Sequence, residues 1–199
     1  IDGAPARTLT ALADLVQLLW LTPEMDRLFV EPASLRRRFL DRLTYGFAPS
    51  HVTRLSAYER AMRERNRLLK NGRPDDAWLA ALESQMAENG VAIAAARRET
   101  VDRLAQAVDL GISAFPVPEL AIEGAVEARV AAGPALAAED WLRGALAAGR
   151  RVDAEAGRTL VGPHRSDLIA RHRAKDMPAA LCSTGEQKAL LIAIVLAHA

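Results

Sequence analysis

Residues 182–197 read Cys-Ser-Thr-Gly-Glu-Gln-Lys-Ala-Leu-Leu-Ile-Ala-Ile-Val-Leu-Ala, a polar turn opening directly into an apolar helix. Ser183 followed three residues later by Glu186 predicts a capping box: the hydroxyl accepts from one orphan backbone N–H and the carboxylate reaches back to another. The N–H groups left over and the positive end of the helix dipole make such a turn a ready anion site. Gly185 lets a bulky ligand approach the backbone. On pattern alone, the same residues also fit a well-capped core helix with no ligand.

Ser183-Thr184-Gly185-Glu186-Gln187-Lys188 resembles the signature motif of ABC-type ATPases, in the form used by the SMC and RecF families. Cys182 stands where Leu is usual, and Thr184 where transporters carry Gly. Upstream, Arg158 to Leu168 contains Gly162-Pro163-His164-Arg165-Ser166-Asp167-Leu168, similar to the Gly-Pro-His-Arg-x-Asp-Leu segment of the RecF family. Near the start, Leu21-Thr22-Pro23-Glu24-Met25-Asp26 followed by Arg36-Arg37-Arg38-Phe39-Leu40-Asp41 resembles a third RecF pattern. Tyr58 to Leu69, with its Arg65-Asn66-x-Leu-Leu element, resembles a fourth. Four matches in order are far more specific than one.

The resemblance implies an α/β (α+β) portion of an ABC-type ATPase head with an inserted antiparallel helical arm, predominantly helical in this chain. Residues 1–33 and 114–199 would belong to the head and residues 34–113 to the arm. It implies ATP and magnesium as cofactors of the full-length protein, with slow ATPase activity in an ATP-driven homodimer. Ser183, Thr184, Gly185, Glu186, Gln187 and Lys188 would cap the γ-phosphate of an ATP held by the other subunit. It implies single-stranded and gapped duplex DNA as ligands, RecR and RecO as partners, a cytoplasmic location and a role in loading recombinase. The resemblance assigns no role to Gly162, Pro163, His164, Arg165 and Asp167. A Walker A loop of the form Gly-x-x-x-x-Gly-Lys-Ser/Thr is absent from the 199 residues, as is an apolar strand ending in Asp-Glu after the signature. The expectation is a fragment without catalytic residues that binds no ATP by itself. Another SMC-type head with a short arm, or a helical interaction module that binds no nucleotide, are the alternatives.

Composition is consistent with this. Half the residues are hydrophobic and 26% charged, which suits one compact body or two small lobes. No apolar run reaches the 18 residues of a membrane span, and no secretory leader opens the chain. The lone Cys182 allows no internal disulfide. A formal net charge of +1 hides a division: residues 34–73 carry 11 Lys/Arg against three acids, and residues 75–155 carry 7 Arg against 14 Asp/Glu. The basic stretch suits nucleic-acid phosphates, or pairing with the acidic half. Adjacent helix positions lie about 100° apart, so Arg36, Arg37 and Arg38 cannot all three face one ligand, and one of them is expected to pair internally, with Asp41 as the candidate partner. Arg60, Arg63 and Arg67, spaced i, i+3, i+7, share a face and are the better DNA stripe. His51, His172 and His198 show no metal-ligand spacing, leaving His164 as the one histidine in a candidate site.

Local signals place the elements. A strand is expected over residues 15–21. Helices are expected from a Ser34 cap to Phe47, from Ser50 to Lys70, and from Asp76 to Leu110, with the last two forming an antiparallel hairpin. Asn71-Gly72-Arg73-Pro74-Asp75 is the stop and restart between them. Strands are expected at 116–123, 167–173 and 178–181, and one helix at 137–156.

Overall fold

The periodicities of 3.6 and 2 become real elements in a computed structural model that describes residues 21–72, 75–110 and 115–199. Three helices come first: α1 (Ala33–Phe47), α2 (His51–Lys70) and α3 (Asp76–Asp109). Then follow β1 (Pro118–Glu123), α4 (Ala125–Ala132), α5 (Ala135–Ala148), α6 (Arg150–Ala156), β2 (Asp167–His172), β3 (Met177–Pro178) and α7 (Thr184–His198). The strand expected over residues 15–21 lies outside the described residues, apart from Leu21.

The strands form an antiparallel sheet in the order β1-β2-β3, with Leu120 opposite Ala170 and Ile122 opposite Leu168. Its inner face carries Leu168, Ala170 and His172, all buried, while Glu119, Ala121 and Glu123 face solvent. Alternation of this kind is what a half-buried sheet requires.

Two apolar cores result. The first gathers Phe39, Leu40 and Leu43 of α1, Val101 and Leu104 from the end of α3, the sheet, and Leu190, Leu191 and Ile194 of α7. The second gathers Tyr58 and Ala61 of α2, Met86 to Ala94 of α3, and Val126, Leu142 and Leu146 of α4 and α5. Helix α3 therefore belongs to both: its residues from Met86 to Ala94 serve the second core, and Val101 and Leu104 the first. The α2–α3 pair packs as the expected hairpin. Gly90 sits where three elements meet α3: a Cβ there would lie 3.1 Å from Leu142, 3.2 Å from Tyr58 and 3.3 Å from Pro163. Close approach explains a glycine inside a helix, where it costs about 1 kcal/mol in propensity.

Several boundaries differ from expectation. Helix α1 is capped by Pro32 and starts at Ala33, so Ser34 lies inside the first turn instead of capping it. The helix expected over 137–156 is two helices, α5 and α6, parted at Gly149, and α4 precedes them. Residues 179–181 form a 3-10 turn instead of strand, leaving β3 only two residues. Asp75 caps α3 by accepting from the amides of Ala77 (2.8 Å) and Trp78 (3.2 Å). Gly72 takes the left-handed φ of +76° that ends α2, as Asn-Gly predicts.

Candidate functional site

The signature turn forms as read. Ser183 is the N-cap of α7: its hydroxyl accepts from the Glu186 amide, and the Glu186 carboxylate accepts from the Ser183 amide at 3.0 Å, closing the capping box. Glu186 also binds the Lys175 ammonium, and that contact, followed by the bonds from Ser183, lowers its carboxyl to about 2. Ser183, Thr184 and Gly185 are exposed. A Cβ on Gly185 would meet nothing within 4 Å, and its φ is not left-handed, so neither packing nor backbone conformation demands glycine there. Lys188, also exposed, pairs with Asp26 at 2.9 Å, which joins the Pro23–Asp26 motif to this helix. Gln187 turns inward, donating to the Cys182 carbonyl at 2.8 Å; it shapes the turn and presents nothing to solvent. Cys182 is a buried filler in the first core, its thiol pushed up by burial.

The other motif stretches, separated by up to 131 residues, interlock along one seam. Arg36 forks onto Asp167 at 2.8 and 2.6 Å. Arg37 donates to the Ser166 carbonyl at 2.6 Å. His164 donates from Nε2 to the Thr159 carbonyl (3.0 Å), so its Nδ1 accepts from the Tyr58 hydroxyl at 2.8 Å. Burial, with Arg165 and Arg37 nearby, lowers the imidazole pKa and keeps this ring neutral. Gly162 has φ +143°, and a Cβ there would lie 2.1 Å from the Tyr58 oxygen.

Two buried arginines complete the seam. Arg97, 2% exposed, grips both oxygens of Asp41 (2.8 and 3.0 Å) and donates to the Pro163 carbonyl at 2.6 Å. His51 donates to the same carboxylate at 2.7 Å. Burial works to raise the Asp41 carboxyl, but the hydrogen bonds from His51 and Arg97 outweigh it and the net shift is downward. Asp41 is thus held by Arg97 and His51, not by the neighbouring arginine triplet as expected; the triplet's ion pair is Arg36 with Asp167, because the helix turns Asp41 inward. Arg65, fully buried, binds Glu83 (3.1 Å), Asp153 (2.7 Å), Thr159 (3.0 Å) and the Leu146 carbonyl (2.7 Å). Thr159 in turn donates to Asn66 at 2.8 Å. Sequence reading missed Arg97 and Glu127, which no motif flagged; their signal was a charged residue on the apolar stripe of a helix. Glu127 accepts from Ser166 at 2.5 Å, and burial raises its carboxyl.

The basic stripe on α2 is present: Arg60, Arg63 and Arg67 are all exposed. Arg67 pairs with Glu64 at 2.6 Å and Arg63 with Glu59 at 3.6 Å; Arg60 makes no ion pair among the described residues. Arg38 is exposed and likewise unpaired among them, and Arg165 is exposed beside the seam. No group of His, Cys, Asp or Glu among the described residues is placed to hold a metal, and no described helix is long and apolar enough to cross a membrane.

An apolar helix beneath an exposed capped turn, a small antiparallel sheet and a helical hairpin are the elements expected of part of an ABC-type ATPase head. Comparison agrees. A structure of the recombination mediator protein RecF-ATPrS in the RecFOR pathway superposes with a TM-score of 0.83 at 19% identity, covering 99% of this chain and 54% of that one. The RecF-ATP structure superposes at 0.76 with 20% identity. The DNA replication and repair protein RecF of Mesorhizobium japonicum is 55% identical over the whole chain, and that of Brucella abortus 52% identical over 94% of it. No protein-family profile matches the chain. The chain belongs to the RecF family, and it spans about half the length of the curated relatives it matches.

Proposed function

We propose that this chain is the part of a RecF-type DNA-repair ATPase that carries the signature turn and the DNA-contacting arm. In the complete protein, ATP bound with magnesium at one subunit would be covered by the signature turn of the other, and the resulting homodimer would hold single-stranded or gapped DNA and work with RecR and RecO to load recombinase. The observation that carries this reading is the open turn at Ser183–Gly185: a glycine that no internal packing or backbone strain requires, on a helix anchored in the core, with its cap already made. Such a terminus offers amides and a positive dipole end to an incoming phosphate without rearrangement.

The test is Ser183→Arg in the complete protein. It should fill the anion site and abolish ATP-driven dimerisation in light scattering, while ATP binding to the monomer persists. A folded variant that dimerises normally would reduce the turn to a helix cap. On the arm, changing Arg60, Arg63 and Arg67 together to Ala should weaken DNA binding and reduce its salt slope by roughly 0.7–0.9 for each phosphate no longer neutralised. Since Arg63 and Arg67 each share their charge with an acid on α2, the reduction should be closer to that of a single phosphate than of three.

A further inference from the structure

The seam borders an open pocket of about 190 Å³, lined by charged and apolar side chains, between α1, α2, α3 and the Gly162–Leu168 segment. One water needs only roughly 10–15 Å³ of such space, so the pocket admits a ligand group of several heavy atoms. Its wall carries three cations, Arg37, Arg38 and Arg97, and two acids, Asp41 and Glu59, with Tyr58 and His164 beside them.

The charges there do not balance. Asp41 is consumed by Arg97 and His51, and Asp167, outside the wall, by Arg36. Arg37 spends one N–H on a carbonyl, and neither it nor Arg38 has an ion pair among the described residues. Burial, followed by the like charges of Arg97 and Arg165, lowers the Arg37 pKa against the opposing pull of Asp167 and Asp41. Glu59 stands exposed at the rim and is shared with Arg63. His164 has both ring nitrogens engaged, so it is wall and not ligand. Arg37 and Arg38 thus line a concave space whose two carboxylates are already engaged, Asp41 by Arg97 and His51 and Glu59 by Arg63. Guanidinium forks match a tetrahedral oxyanion, which they can grip through paired N–H groups.

We propose that Arg37 and Arg38 bind a phosphate group in this pocket, supplied by a nucleic-acid backbone or by a free phosphate. The backbone source rests on the reading of the chain as DNA-binding. In its favour, Arg63 reaches Glu59 at the rim, so the pocket opens at the start of the basic stripe on α2. The Gly162–Leu168 segment would then have a role: it forms the wall and, through the Ser166 carbonyl, aims Arg37.

The experiment uses the complete protein, with variants Arg38→Gln, Arg37→Lys and the double Arg37→Gln/Arg38→Gln. Gapped duplex DNA is titrated across a range of salt, and pyrophosphate is titrated alone and as competitor. For backbone binding, Arg38→Gln should weaken DNA affinity about tenfold and cut the salt slope by roughly 0.9. Arg37→Lys should keep most of the affinity, and pyrophosphate should compete with DNA on the wild type and not on the double variant. Pyrophosphate binding that the double variant abolishes, with DNA binding untouched, assigns the pocket to a free phosphate. Unchanged DNA affinity, salt slope and pyrophosphate binding in Arg38→Gln overturn the proposal, and the double variant should repeat that result. Arg38→Gln removes an exposed side chain with no ion pair, so it decides the matter even if the double variant fails to fold. A wild type that binds no DNA would sink the DNA-binding reading, while the pyrophosphate titration would still judge the pocket.

Discussion

The two cores of this molecule are built on opposite principles. The first, around α1, α7 and the sheet, is dominated by apolar side chains: Leu40, Leu43, Leu190 and Ile194 are fully buried, and the buried polar groups on these elements include Thr44, His172 and His198. The second lies beside two buried arginines and their carboxylates, and Arg65 and Arg97 are the largest fully buried side chains in the described residues. An apolar contact tolerates sliding, because hydrophobic burial has no direction. A guanidinium fork does not, because its partners must sit at fixed angles. The first core thus supplies cohesion, and the ionic seam fixes how α2, α3, α6 and the Gly162–Leu168 segment sit against one another. That is where both the pocket and the basic stripe must be held in place.

The contrast between the cores can be broken most directly at Arg65. Arg65→Ala strands Glu83 and Asp153 in the interior, and removing one partner of a buried pair costs about 3–5 kcal/mol. Leu190→Ala in the apolar core should cost about 2–5 kcal/mol through reduced burial and a cavity. Urea denaturation of both variants would show Arg65→Ala at least as damaging; a destabilisation under about 1 kcal/mol would mean the seam is ornamental. Gly162→Ala comes next. The new methyl group meets the Tyr58 oxygen at 2.1 Å and φ is +143°, so strain and overpacking together should cost about 1–3 kcal/mol. It should displace the Tyr58–His164 pair, visible as a shifted imidazole resonance.

Acid provides the smallest effect. The His164 pKa is depressed in the folded state, so the contribution of its neutral form is complete above its ordinary value of 6.5 and is lost as pH falls below that. The melting temperature should therefore decline between about pH 7 and pH 5. His164→Gln, which keeps a donor toward the Thr159 carbonyl but does not titrate, should flatten that decline. An unchanged slope would place the pH dependence elsewhere in the seam.

How much of this was readable in advance depended on range. The capping box at Ser183 and Glu186, the Asn71-Gly72 stop and the Asp75 cap are contacts within a few residues, and each is present. The hairpin of α2 and α3 followed from two stripes and a turn. The α5–α6 break falls at Gly149, a residue of low helix propensity standing between two stretches that are otherwise good helix formers. Asp41 was paired with its sequence neighbours on α1, whereas its real partner stands 56 residues away on α3.

By itself, the sequence determined the elements, the capped signature turn and membership of the family, because periodicity, caps and motifs act over one or two turns of chain. Only the tertiary structure decided that the motif stretches meet, that Arg65 and Arg97 are interior fasteners while Arg60 and Arg38 remain outside, and that a cation-lined pocket lies between them. An arginine's sequence neighbourhood fixes which way its helix face points; what stands opposite that face comes from chain folded back from far away, and that partner sets whether the charge is neutralised or left open to a ligand.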